Sequence, residues 1–152
     1  MMLQRVNQDT VTVHRIELPT PVALLGRVNV YVLTGSGQTV LIDCGFRYEP
    51  AKEILINGLS ELGLHIKDLT GLVLTHGHPD HVGFASFFQE KGVPVYAHPD
   101  LGTWLSPKGD WKDYRMAFNE QLFREMGMPE VRIEQELKLL SISHSFMEPT
   151  VV

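Results

Sequence analysis

The stretch LTHGHPDH, Leu74 to His81, places three histidines and one aspartate within eight residues. Imidazole and carboxylate are the donors that first-row divalent cations take, zinc best of all, while iron and manganese are compatible with the same atoms. In an extended chain, residues two apart point to the same side, so His76 and His78 can converge on one cation from a loop leaving the strand TGLVLT. On a helix they would diverge by about 200°. Asp80 and His81 stand at the start of the next helix, offset from the first pair, where they can reach a second cation. The spacing therefore predicts two ions. A lone histidine is more often a surface or satisfied core residue than a ligand, and that reading is taken for His14, His65 and His144. Four donor residues in six positions between a buried strand and a helix make a far rarer coincidence.

The elements that must position these donors follow from hydrophobic period. VTVHRIEL (Val11 to Leu18), VNVYVL (Val28 to Leu33) and TVLID (Thr39 to Asp43) read as strands rich in β-branched residues. TGSGQ joins the last two as a tight hairpin, its two glycines supplying the positive φ. The period then changes: from Pro50 to Leu62 apolar residues recur at helical spacing. TGLVLTH follows as a buried strand, DHVGFASFFQEKG as one helix closed by Gly92, and VPVYAH as another strand. Strand–helix–strand alternation predicts a mixed or parallel sheet covered by helices. Asp113 to Gly127 and Pro129 to Leu140 are expected as helices, the first apolar on more than one face and so covered on more than one side. Leu105 to Asp113 is the expected loop.

Composition bounds the function. The chain has 152 residues, 43% of them hydrophobic, enough for one globular domain with a core, and residues 1–152 are expected to form a single domain. A net charge of −5 gives no footprint for nucleic acid, whose binding relies on Lys and Arg. The amino end reaches Asp9 without an apolar signal region, and the longest uncharged run, Val28 to Ile42, falls short of the ~20 apolar residues of a bilayer span. No membrane association is expected. The single cysteine, Cys44, cannot form an internal disulfide, which fits a cytoplasmic protein.

The run His76, Gly77, His78, Pro79, Asp80, His81 resembles the H-x-H-x-D-H signature of the metallo-beta-lactamase superfamily. Asn29 to Tyr31 followed by Val40 to Gly45 (VLIDCG) is similar to that family's amino-terminal hairpin, with Cys44 where Thr is common. The resemblance covers about Val11 to Asp100. It implies an α/β fold, the αββα sandwich, with the metals at one edge between two sheets. By that analogy His76 and His78 hold the first metal and Asp80 and His81 the second, while Asp43 orients a ligand histidine from behind. Two zinc ions about 3.5 to 4 Å apart would share a water and lower its pKa towards ~7. Asp80 would be the catalytic carboxylate that orients the metal-held hydroxide and passes a proton to the leaving group. The implied substrate is a small ester, thioester or lactone, as in glyoxalase II-like and lactonase-like relatives. Cys44 then needs no catalytic role and reads as a small buried apolar residue. His98 ends a strand beside the site, but nothing in the motif makes it a ligand, and it stays outside the set.

The family's carboxyl-terminal half normally supplies a third histidine, a bridging carboxylate and a last histidine. None is visible after Asp100, where His144 is the only histidine. The expectation is therefore the amino-terminal half of the sandwich plus a helical lid region, incomplete at its carboxyl end, with two donors per metal and little turnover by itself. Its uncovered sheet face would be met by the later helices, by a second copy in a homodimer, or by further sequence. Two other classes fit the residues: an iron-dependent sulfur dioxygenase of the same fold, and a noncatalytic dimerising module. A di-iron flavoprotein fits less well, because that branch has Glu where His78 stands.

Overall fold

Alternation of apolar and polar residues in the first third of the chain produces an antiparallel meander. The computed structural model describes residues 3–5, 11–22, 25–105 and 111–144. Strands β1 (Leu3–Arg5), β2 (Thr12–Pro19), β3 (Arg27–Gly35) and β4 (Gln38–Ile42) pair antiparallel in sequence order; β5 (Gly71–Val73) and β6 (Val95–Tyr96) then add in parallel, giving one mixed six-stranded sheet in the order 1-2-3-4-5-6.

Each parallel crossover carries helix. Helix α1 (Glu49–Glu61) links β4 to β5, and α2 (Pro79–Val82) with α3 (Ala85–Glu90) links β5 to β6. The register sets Ile16 opposite Val30, Val32 opposite Leu41 and Leu41 opposite Leu72. All five side chains are buried on one face of the sheet, beneath Leu55 and Leu59 of α1 and Phe88 of α3. Tyr31, Ile42, Val73 and Tyr96 occupy the opposite face, where Tyr31 and Tyr96 stay exposed. Among the described residues there is one sheet, so they supply one α/β half of a sandwich.

Three expectations are corrected. Between β3 and β4 the two turn residues with positive φ are Ser36 (50°) and Gly37 (75°), with Gly35 still paired to Gln38; this is the twist-matched two-residue hairpin, in which Gly37 has the positive φ expected of it and Ser36 takes the place expected of Gly35. The helix expected over DHVGFASFFQEKG is two short helices, because the Gly83 N–H leaves the helical ladder and donates to Gly45 O at 2.8 Å. The strand VPVYAH is cut to Val95–Tyr96 by α4 (Pro99–Leu105), an element the period did not reveal.

Beyond it lie α5 (Trp111–Glu125) and α6 (Glu130–His144), which pack on each other. The expected cover on several sides of α5 is not found among the described residues: Tyr114 (72%), Phe118 (53%), Leu122 and Met126 (69%) form an exposed stripe at four-residue spacing. Of the loop expected over Leu105 to Asp113, residues 106–110 lie outside the described residues, while its ends belong to α4 and α5. No helix among the described residues is long and apolar enough to cross a membrane.

Candidate metal centre

Strands β4, β5 and β6 run parallel, so their carboxyl ends leave the sheet side by side at one edge, the usual place for ligand sites in open α/β sheets. Asp43 follows β4, Thr75 to His78 follow β5, and His98 follows β6. Chain pairing alone brings together residues more than fifty positions apart.

Asp43 anchors the edge. It is 5% exposed, stands in the left-handed region at φ 59°, a conformation that Asp tolerates better than most residues, and donates its N–H to Val73 O. Its Oδ1 accepts from Thr75 N–H at 2.8 Å, and its Oδ2 accepts from both Thr75 Oγ1 and His81 Nδ1, each at 2.7 Å. A buried carboxylate is tolerable only when hydrogen-bonded in this way.

Those bonds dictate the histidine tautomers. His81 donates from Nδ1 to Asp43, and its Nε2, 3.4 Å from Asp80 Oδ2, carries a proton towards that carboxylate in the metal-free chain and offers a lone pair only once that proton is released. The Thr75 hydroxyl donates its one hydrogen to Asp43, so at 3.0 Å it can only accept from His76 Nδ1. His76 therefore presents Nε2 as a lone pair, and that atom lies 3.0 Å from His78 Nδ1. The His76 ring is 4.6 Å from the His78 ring and 4.1 Å from the His81 ring, centre to centre.

The donor pairs fit a divalent cation. Two nitrogens bound to one tetrahedral zinc at ~2.0–2.1 Å stand about 3.3 Å apart, close to both observed separations. His76 with His78, and His81 with Asp80, thus form two adjacent two-donor pairs. Among the described residues no three His, Cys, Asp or Glu side chains converge on a single point. All four residues singled out from the sequence gather here, and Asp43 stands behind them.

Charge follows the same geometry. Burial would pull the His81 imidazole down, but its hydrogen bonds to Asp43 and Asp80 outweigh this and push its pKa up to about 9. Burial raises Asp80, yet the hydrogen bond and charge of His81 prevail and hold it below the usual carboxylate range. His78 is lowered, first by burial, then by the positive charge of His76 and of Arg115 on α5. Cys44 is fully buried, donates Sγ–H to His81 O at 3.2 Å, and burial pushes its thiol far up. It is a packing residue.

Beside the histidines opens a cavity of about 300 Å³ lined by Thr75, His76, Gly77, His78, His98, Asp100 and Leu101. Sequence reasoning left His98 aside and did not single out Thr75, because pairing of β5 with its neighbours is what places them. A larger hollow of about 600 Å³ at the edge of β2 and α1 is lined by Arg15, Glu17, Asn57 and Glu61, with Arg15 held by Glu17 at 3.4 Å; it contains none of the histidines.

A mixed sheet whose edge gathers three imidazoles and two carboxylates defines an α/β protein with a candidate metal centre. Residues 23–144 match the model of the metallo-beta-lactamase superfamily, and the chain belongs to that family. It is 32% identical over 114 residues to "Probable metallo-hydrolase YqjP" of Bacillus subtilis (strain 168), covering 75% of this chain and 35% of that protein. It is 34% identical over 86 residues to a UPF0173 metal-dependent hydrolase of Koribacter versatilis (strain Ellin345), covering 56% of this chain and 34% of the relative. The chain spans about a third of the length of these curated relatives. Among solved structures, a metallo-beta-lactamase family protein from Thermus thermophilus aligns with a TM-score of 0.62 and 30% identity, over 83% of this chain and 42% of that one. The subclass B3 enzyme BJP-1 of Bradyrhizobium japonicum, at 18% identity and a TM-score of 0.52 over 66% of this chain and 35% of its own, shares the fold.

Proposed function

We propose that this chain provides the metal-holding edge of a hydrolase acting on a small ester, thioester or lactone, with zinc at two adjacent positions. His76 Nε2 and His78 Nδ1 would hold one ion, and His81 Nε2 and Asp80 Oδ2 the other. When bound, such ions supply Lewis acidity and an activated water at neutral pH. The protein's own part is orientation: Asp43 fixes His81 directly and His76 through Thr75, so neither ring has to turn to offer Nε2, and His81 gives up its Nε2 proton as a cation binds. Asp80, with Oδ2 turned to His81, has its other oxygen to receive the proton of the attacking water and return it to the leaving group. The described residues supply two protein donors per ion, against the usual three at catalytic zinc, so turnover by these residues alone is expected to be slight.

The observation that carries this reading is the pairing of His76 Nε2 with His78 Nδ1 beside the His81–Asp80 pair. Calorimetric titration of the metal-free chain with zinc tests it. Binding that weakens at least tenfold in His76→Ala and in His81→Ala, with the fold retained by circular dichroism, is the expected result. Equal affinity in wild type and both variants would remove the assignment. Metal analysis of natively expressed protein decides between zinc and iron.

A further inference from the structure

Three hydrogen bonds run in line from the first donor pair to the buried carboxylate of Asp43. Thr75 Oγ1 lies 2.7 Å from Asp43 Oδ2, His76 Nδ1 lies 3.0 Å from Thr75 Oγ1, and His78 Nδ1 lies 3.0 Å from His76 Nε2. A carboxylate only accepts, so the first hydrogen belongs to Thr75; a hydroxyl has one hydrogen, so the second belongs to His76. A neutral imidazole also has one, and with Nδ1 protonated the His76 Nε2 can only accept. The third hydrogen is therefore on His78 Nδ1. Every donor in the line points towards Asp43, whose own bonds go to Thr75 and His81. Thr75 and His78 are exposed and His76 is half-buried, so water competes along the line. A bond to a charged oxygen is roughly twice as strong as a neutral one, and each bond in a chain polarises the next, which favours the ordered arrangement.

We propose that Thr75 is a positioning residue for the first donor pair: its hydroxyl carries the orientation imposed by Asp43 to His76 and, through that ring, to His78, and so fixes which nitrogen of each holds the proton before a cation arrives. The proposal rests on the metal-site reading for its use, since it leaves His76 Nε2 open as a donor and makes displacement of the His78 Nδ1 proton part of binding. On binding, His78 releases that proton to water and gains one on Nε2, so its ring remains neutral, while His76 keeps its proton on Nδ1, still bonded to Thr75.

Nitrogen-15 NMR of the histidine rings reads the protonated nitrogen directly, in the metal-free chain at about pH 8.5, above the ordinary imidazole range. In wild type His76 and His78 should both carry the proton on Nδ1. Thr75→Val, which removes the hydroxyl, should turn both rings into mixtures of the two forms, while His81, bonded to Asp43 directly, keeps Nδ1 protonated; a general loosening of the edge would disturb all three. Thr75→Ser, which keeps the hydroxyl, should restore the wild-type pattern. Zinc affinity, measured by calorimetry, should fall about tenfold in Thr75→Val and stay within about twofold in Thr75→Ser, and zinc added to wild type should move the His78 proton to Nε2 and leave His76 unchanged. His76 protonated on Nε2 in wild type, an unchanged His76 in Thr75→Val, or equal zinc affinity in those two proteins overturns this inference alone. A wild-type chain that shows the expected ring pattern and binds no zinc overturns the metal-site reading and leaves the ordering of the rings by Thr75 standing.

Discussion

Asp43 Oδ2 lies 2.7 Å from His81 Nδ1 and 2.7 Å from Thr75 Oγ1, so one oxygen orients two imidazoles, one directly and one through a hydroxyl. The strained backbone at Asp43 is offset by bonds that no neighbour in sequence could supply.

Asp43→Asn isolates those bonds from the backbone, because Asn also accepts the left-handed conformation. The amide cannot accept at every position the carboxylate does, and one buried polar group loses its partner. Stability should fall by about 1–3 kcal/mol in urea titration, and zinc affinity by about 10–100-fold in calorimetry. Asp43→Ala should cost more, since Ala lacks every side-chain acceptor and tolerates the left-handed φ less well than Asp or Asn.

Gly83 carries the contact between the loop after β4 and the helix that bears His81. A Cβ there would collide with backbone atoms of Gly45, Phe46 and Arg47, none of which can rotate away. Gly83→Ala should lower stability by about 2–4 kcal/mol and weaken zinc binding with it. Gly37→Ala, in the exposed hairpin turn with nothing within 4 Å, should cost only about 1 kcal/mol through its φ and leave zinc affinity unchanged.

In the metal-free chain His81 has a folded pKa of about 9, above its ordinary value of 6.5. Stability from its pairing with Asp43 and Asp80 is therefore fully present below pH 6.5 and is lost as pH rises through 9. Urea midpoints measured from about pH 6 to 10 should fall in that window, and the fall should be smaller in Asp43→Asn. A flat profile in wild type would contradict the pairing.

Cys44 should resist alkylation. Its thiol is buried and its pKa raised, so almost no thiolate is available at about pH 8. Iodoacetamide should leave the native protein unmodified over hours and label one site per chain once urea unfolds it, by mass spectrometry. Prompt labelling of the folded chain would place Cys44 at the surface.

Local chemistry was readable wherever a local pattern carried it. Richness in β-branched residues identified the strands that carry Ile16, Leu18, Val30 and Val32, and of the two glycines expected at positive φ in the hairpin Gly37 takes it while Ser36 takes it in place of Gly35. The long helix after His81 was not readable, because the partner that draws the Gly83 N–H away is Gly45, thirty-eight residues earlier. Likewise α5 has apolar residues on several sides, and its composition does not say which of them another element will cover.

By itself the sequence determined which candidate donors exist: three imidazoles and a carboxylate at spacings that suit an extended loop entering a helix. Tertiary structure decided which atoms they present. Parallel pairing of β4, β5 and β6 sets Asp43, Thr75 and His98 on one edge, and the resulting hydrogen bonds fix the proton on Nδ1 of His76 and of His81. A ring nitrogen's role depends on the partner its other nitrogen meets, and that partner comes from a distant strand.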